Sequence, residues 1–263
     1  MNLPGRRAFA QPQEDGVSSC FARPTAPSVH FSGRVRVGPA TIIGPLALEV
    51  GGGRWTCLLG PSGVGKSTLL ALLAGLDDHL SVEGELRAGD DAPLAGRVAL
   101  MAQSDLLLPW LDVLGNVTLG ARLRGERADL EHARQVLDRV GLADHAKSWP
   151  ATLSGGQRQR VALARTLMED RPVVLLDEPF SALDAGTRAR MQDLAAELLV
   201  GRTVLHVTHD PAEAARLGHE VLLLTRSGLS RVEPPATRPP RAYDAQDTLG
   251  FQGHLLRQLL EAR

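Results

Sequence analysis

Cysteine, aromatic side chains, long apolar runs and an excess of either charge are all scarce in this chain, and each shortage excludes something. Cys20 and Cys57 are the only cysteines among 263 residues. One lies in a loose N-terminal stretch and the other beside a glycine-rich loop, so neither a disulfide framework nor a cysteine metal site is implied. Lys and Arg number 29 against 30 Asp and Glu, a formal charge of −1, which gives no electrostatic footprint for nucleic acid. No stretch approaches the roughly 18 apolar residues that a transmembrane helix needs. Residues 1–28 carry Arg6 and Arg7 without an apolar core or a cleavage pattern, which argues against a secretory signal and for a cytosol-like compartment. Rich in Pro, Gly, Ser and Ala and without periodicity, they are expected to form a disordered leader. Internal repeats are absent.

What is present begins with Gly60-Pro-Ser-Gly-Val-Gly-Lys-Ser-Thr68. The stretch fits G-x-x-x-x-G-K-[S/T] through Gly60, Gly65, Lys66 and Ser67, with Pro61, Ser62, Gly63, Val64 and Thr68 completing the loop. An apolar strand candidate, Trp55-Thr-Cys-Leu-Leu59, precedes it, and Leu69-Leu-Ala-Leu-Leu73 reads as the opening of a buried helix. In that context the backbone N–H groups converge on phosphate oxygens and the helix N-terminus adds a favourable dipole. Lys66 is placed to reach the β- and γ-phosphates, and the Ser67 hydroxyl to meet Mg²⁺. The loop predicts a nucleoside triphosphate site.

Strand and helix patterns alternate along the rest of the chain. Strands are expected around Arg34–Val37, Thr41–Val50, Ser81–Ala88, Arg97–Gln103, Pro172–Asp177, Thr203–Thr208 and Glu220–Thr225. Helices are expected over 129–140 and from Leu153 through Leu167, with another through Met191, Leu194, Ala195 and Leu198. Asp210, Pro211 and Glu213 read as N-cap, N1 and N3 of a further helix with a capping box. From Ser230 the chain turns to Pro, Arg and Ala and then makes a short amphipathic helix with Leu249, Leu256 and Leu260. Such alternation predicts an α/β fold with a mostly parallel sheet. Asp177, at the end of an apolar strand near the phosphate loop, is placed to hold Mg²⁺, and Glu178 beside it to activate or orient a water.

Leu153-Ser-Gly-Gly-Gln-Arg-Gln-Arg-Val-Ala-Leu-Ala-Arg165 is the most specific stretch. Ser154, Gly155, Gly156 and Gln157 offer hydroxyl and N–H groups at a helix N-terminus, a second anion site. This stretch resembles the signature of the ATP-binding cassette (ABC) ATPases, and the resemblance runs from about Val29 to at least Thr225. It implies a P-loop NTPase cassette over 29–230, with an N-terminal antiparallel β-subdomain, a mostly parallel core sheet and an α-helical signature subdomain inserted at 104–165. Residues 231–263 would be a Pro/Arg-rich tail. ATP and Mg²⁺ are the implied cofactors, with Ser67, Gln103 and Asp177 around the metal. Gln103 matches the family's Q-loop, Asp184 in Ser181-Ala-Leu-Asp184 its D-loop, and His209 its γ-phosphate switch histidine. With Glu178 and Lys66, Gln103 and His209 form the implied catalytic set.

In that family the signature acts in trans on ATP held by a second cassette. The resemblance therefore implies a dimer, here a homodimer, together with transmembrane permease subunits, a solute-binding protein and a place at the cytoplasmic face of the membrane. Leu107-Leu-Pro-Trp-Leu-Asp-Val-Leu-Gly-Asn-Val117 looks like cassettes for nitrate, taurine, sulfonate or thiamine-precursor uptake. Trp110 could be plain core or part of the groove for the permease. Rival readings are an exporter cassette, a soluble ABC ATPase on nucleic acid or ribosomes, which would need coiled-coil insertions or a basic surface, and a P-loop kinase, which would lack the signature. The chain departs from the family at the base: no aromatic stands near Val37, and Phe31, Trp55, Arg34 and Arg36 are the nearest candidates for stacking on adenine.

Overall fold

The computed structural model describes residues 26–76 and 79–261, so most of the leader, with Arg6, Arg7 and Cys20, lies outside the described residues. Six strands form the central sheet in the order β5-β6-β7-β3-β8-β9. They are β3 (Trp55–Leu59), β5 (Val98–Met101), β6 (Val173–Asp177), β7 (Thr203–Thr208), β8 (Glu220–Thr225) and β9 (Gly228–Val232). Every pairing is parallel except β8 with β9. Every residue of β3, β6 and β7 is buried, as expected of parallel strands covered on both faces and written as near-continuous apolar runs. A second, antiparallel sheet, β2-β1-β4, comprises β1 (Val29–Val37), β2 (Ala40–Val50) and β4 (Leu80–Ala88). The expected α/β architecture, with its antiparallel N-terminal sheet and mostly parallel core, is the one observed.

Side chains alternate along the parallel strands and so divide two cores. Leu58, Val173, Leu175, Leu205 and Val207 pack with β1, β2 and the helix α1 (Lys66–Ala74). Cys57, Leu59, Val174, Leu176 and Val204 face the opposite side. That side is covered by α2 (Val113–Val117), α4 (Leu130–Arg139), α5 (Gly155–Leu167), α6 (Ala185–Leu198), α7 (Pro211–Leu217) and α8 (Gln246–Glu261), with α3 (Leu119–Leu123) following α2. Gly75 ends α1 in a left-handed conformation at φ 67°, as its position after the apolar run predicts. Cys57 is fully buried, and desolvation pushes its thiol well above the ordinary range, so it is no nucleophile.

Three features differ from the sequence expectation. Ser230 does not leave the sheet: it lies in β9, a short strand too polar to announce itself, and pairs with Leu223 of β8. The C-terminal helix is 16 residues long, and Phe251 and Leu255 enter the main core. Glu213 does not close a capping box. Asp210 caps α7 through Ala212 N–H, while the Glu213 carboxylate turns inward to His206 Nε2 at 3.1 Å and the Thr208 hydroxyl at 2.8 Å. A buried histidine and hydroxyl need that acceptor more than an exposed helix end does.

Arg241 anchors the C-terminal segment. Its guanidinium, almost fully buried, donates to Ala215 O and Gly218 O at 2.8 Å, Thr237 O at 2.9 Å and Pro235 O at 3.0 Å. Burial lowers its pKa, yet guanidinium stays charged in proteins and charge-assisted bonds of this kind are the strong ones. Arg241→Ala strands those carbonyls and should cost about 2–4 kcal/mol. Thermal melting should then fall by at least about 4 °C, and a variant melting with the parent would show that the anchor is dispensable.

Candidate active site

The phosphate loop joins β3 to α1, and two glycines let it lie where it does. Gly65 has φ 104°, and a Cβ there would come within 2.9 Å of Ile43 Cγ1 on β2; the left-handed backbone and the close approach both demand glycine. Gly63 is likewise left-handed at φ 79°. Lys66 is buried, and its Nζ donates to Gly60 O and Pro61 O, both at 2.8 Å. Folded back in this way, the ammonium ties together two carbonyls at the start of its own loop. Desolvation lowers the Lys66 pKa, opposed by the nearby charges of Glu178 and Asp177.

Strand β6 delivers the two carboxylates. Asp177 is buried, and the Ser67 hydroxyl at the start of α1 lowers its pKa against the effect of burial. Glu178, the next residue, sits at φ 48°, a left-handed conformation that costs a non-glycine residue on the order of 1–3 kcal/mol and tends to persist at functional sites. That turn aims the carboxylate at two side chains from other elements. Gln103, just after β5, donates from Nε2 to Oε2 at 3.3 Å. His209, just after β7, places Nδ1 at 2.9 Å from Oε1. Three of the four residues expected to be catalytic thus meet on one carboxylate, at the C-terminal edge of a parallel sheet, where ligands bind in open α/β folds.

Ser154 to Gln157 begin α5. Ser154 Oγ accepts from Gln157 N–H at 3.2 Å, and Gln157 Oε1 accepts from Ser154 N–H at 2.8 Å, a complete capping box. Ser154 and Gly155 are exposed. Asp184 is exposed too and caps α6 by accepting from Thr187 N–H at 3.0 Å. These groups stand on the surface of a single chain, the condition for serving a neighbouring one.

Sequence reasoning passed over several residues. Gln159 is only 7% exposed and its amide bridges α5 to Glu178 and Ala182. Buried Asn116 fixes the loop after β5 through bonds to Leu108 N–H, Leu108 O, Leu111 O and Asp112 O. Both lie inside stretches singled out in the sequence, but neither was given a role there, because polar residues within helical patterns ordinarily read as surface. The candidates for stacking on the base fare worse. Phe31 and Trp55 are core residues at 1% and 4% exposure, and Arg34 and Arg36 both pair with Glu83. Val37 is exposed at the end of β1. The cleft of about 370 Å³ beside the phosphate loop is lined by Ile42, Ile43, Pro45, Val64 and Arg226 among others, with no aromatic side chain among its lining residues.

A family model described as "ABC transporter" matches residues 43–181, a span that contains the phosphate loop, Gln103, the signature and Glu178. The chain is an ABC transporter ATP-binding cassette. It is 47% identical over 230 residues to "Aliphatic sulfonates import ATP-binding protein SsuB 1" of Rhodococcus jostii, covering 86% of this chain and 91% of that protein. It is 43% identical to the SsuB protein of Delftia acidovorans, covering 83% and 88%. Among solved structures, the cassette resembles the dimeric bacterial ABC transporter cassette MJ0796 bound to ADP and Pi after hydrolysis, at 29% identity and TM-score 0.70 over 80% of this chain and all of that one. An ATP-bound bacterial Atm1-family exporter matches at 26% identity and TM-score 0.69, over 78% of this chain and 38% of that one. The cassette binds and hydrolyses ATP, and among its described residues no helix is long and apolar enough to cross a membrane.

Asp177 bears the cost of this layout. Burial chiefly, with the charge of Glu178, raises its pKa, while Ser67 and Lys66 pull it back. A carboxyl raised on folding loses stability as pH climbs through its unfolded value to its folded one, and the loss stays in full above that. Without ATP, Asp177→Asn should therefore melt about 2–4 °C above the parent at pH 7. The gain should fade as pH falls toward and below the ordinary carboxyl range, where the parent carboxyl takes up its own proton. A lower melting point at pH 7 would show that the Ser67 and Lys66 contacts outweigh burial.

Proposed function

We propose that this cassette drives uptake of an aliphatic sulfonate or a solute of similar size and charge, working as a homodimer beneath a membrane permease supplied by a solute-binding protein. The convergence of Gln103 and His209 on Glu178, beside the phosphate loop, carries the hydrolytic part of this reading. The import proteins to which the chain is 41–49% identical support the direction and the solute class. Import through a permease places the cassette at the cytoplasmic face of the membrane. With a formal charge of −1 and no long helical insertion among the described residues, a role on nucleic acid has less support.

In this reading the loop N–H groups and Lys66 bind the phosphates, Lys66 exchanging Gly60 O and Pro61 O for phosphate oxygens. Glu178 accepts a proton from the attacking water, Gln103 orients that water, and His209 leaves Glu178 to meet the γ-phosphate. Ser154, Gly155 and Gly156 of one copy cover the γ-phosphate held by the other, and Asp184 lies along their interface. The oxygen donors Ser67 and Asp177 suit Mg²⁺, a hard ion that takes few protein ligands and keeps substrate and water oxygens. Bound there beside Gln103, the ion would neutralise phosphate charge.

Glu178→Gln keeps the shape of the side chain and removes the proton acceptor. Hydrolysis should drop by about 100-fold or more while ATP still binds, and the variant should accumulate as an ATP-held dimer on size exclusion. Wild-type turnover would overturn the role assigned to Glu178.

The loop after Gln103 fits the permease. Trp110 is 68% exposed, yet its loop is held firmly by Asn116 and by Arg165, which donates to Asp105 O at 2.7 Å and Leu106 O at 2.9 Å. A rigidly presented, exposed tryptophan makes a typical interface anchor, worth about 2 kcal/mol or more. Trp110→Ala should reduce sulfonate uptake and recovery with the membrane by about tenfold or more and leave ATP hydrolysis by the isolated cassette near the parent's. Joint loss of folding and hydrolysis would mean that Trp110 serves the fold.

A further inference from the structure

Glu178 owes its position to more than its own strand. Its N–H donates to Val207 O at 2.9 Å, but its carbonyl points into the turn that leads to α6. There it accepts from Gln159 Nε2 at 3.0 Å and from the Ser181 hydroxyl at 3.1 Å. Gln159 lies in the second turn of α5, after the Ser154 cap. Its Nε2 also reaches Ser181 Oγ at 3.2 Å, and its Oε1 accepts from Ala182 N–H at 2.9 Å. One buried amide thus uses both of its ends to grip both ends of the turn 178–182. The helix backbone presses on the same turn: a Cβ at Gly156 would lie 3.2 Å from Ala182 O. No neighbouring side chain duplicates the bridge. Gln157 serves the cap and His145, and Arg158 binds Asp105 and Leu153 O.

We infer that Gln159 is a positioning residue for hydrolysis: its amide holds Glu178 in the left-handed conformation that aims the carboxylate at Gln103 and His209, and ties that aim to the seating of the signature helix. A left-handed glutamate has lower-energy alternatives nearby. Once the amide is gone, the turn can relax and swing the carboxylate away from the water. Lys66, Ser67 and the loop amides are untouched, so the effect falls on turnover and not on nucleotide binding.

The inference rests on Glu178 being the group that activates water, and the experiment separates the two. Steady-state hydrolysis of Mg-ATP by the full chain is compared for the parent, Gln159→Leu, Gln159→Glu, Glu178→Gln and the double variant Gln159→Leu/Glu178→Gln, alongside melting temperatures. Gln159→Leu should lower kcat by about 10- to 100-fold, the scale of small misplacements, with KM for ATP within about twofold. On the Glu178→Gln background the same change should add almost nothing, because residues acting as a unit are not additive. Gln159→Glu sets a carboxylate oxygen against Glu178 O and should be as slow at pH 8. Burial raises the pKa of such a group, so at pH 6 its protonated form donates again and its rate relative to the parent should recover. A buried carboxylate also weakens the fold when ionised, so the recovery counts only where Gln159→Glu melts well above the assay temperature at both pH values, and on that condition the test holds even if Gln159→Leu fails to fold. Parent-like kcat in folded Gln159→Leu, an equal loss on the Glu178→Gln background, or no recovery of Gln159→Glu at pH 6 would overturn the inference. If Glu178→Gln itself turns over at the parent rate, the role of Glu178 falls and this inference with it. If Glu178→Gln is inactive and Gln159→Leu is not, only the inference falls.

Discussion

The parallel sheet brings an ammonium and two carboxylates near enough to feel one another's charge at the C-terminal ends of its strands, and the surrounding structure is arranged to hold them there. Lys66 and Asp177 are both buried, and desolvation opposes the charge of each. Lys66 is held by two carbonyls of its own loop, and Asp177 by the Ser67 hydroxyl. The charge of Glu178 opposes that of Asp177, and the left-handed turn of Glu178 aims its carboxylate at His209 and Gln103. In the proposed mechanism a triphosphate would exchange with these partners, its oxygens for the carbonyls on Lys66 and its γ-phosphate for the carboxylate on His209.

How legible the chain is depends on whether a function is written locally. The phosphate loop, the carboxylate pair and the signature each need fixed residues at fixed spacing around one strand end or helix start, and such features can be read before any fold is known. Buried strands such as Val173–Asp177 are equally plain, since both faces are covered and apolar residues run without interruption. Gln159 and Asn116 were not legible. Their partners are backbone atoms brought near by folding, as far as 23 positions away for Gln159, and a polar residue in a helical pattern looks like solvent-facing surface. Glu213 misled for the complementary reason: its spacing from Asp210 suits a capping box, but buried His206 and Thr208 compete for the same carboxylate and win. The C-terminal segment misled through composition, because Pro and Arg suggest a solvated tail until Arg241 is seen satisfying four carbonyls at once.

Base recognition shows the limit from the other side. The missing aromatic near Val37 was visible in the sequence, and the nearest replacements could be judged only from burial and pairing. Phe31 and Trp55 belong to the cores, and Arg34 and Arg36 are shared with Glu83. What remains beside the loop is an aliphatic wall of Ile42, Pro45 and Val64 with Arg226 across from it. Contact area of that kind holds a base without reading its edge. In the proposed reading, affinity then comes mainly from the phosphates, gathered by the loop amides and Lys66.

Helix α5 connects these parts mechanically. Its cap presents the exposed signature, Gln159 grips the turn that sets Glu178, and Arg158 and Arg165 hold Asp105 and Leu106 in the loop that displays Trp110. A partner that pushes on that loop pushes on the same helix that aims the carboxylate. Close-packed interiors transmit such displacements instead of absorbing them, and charged or bidentate hydrogen bonds at both ends leave little slack. The two ends also differ in kind. Arg158 and Arg165 bind a loop exposed to partners, where a contact can be replaced, whereas Gln159 is buried and has no water to take its place. Movement of α5 is therefore cheaper at the Trp110 end than at the Glu178 end, which makes the buried amide the point where displacement of the helix is converted into a change in chemistry.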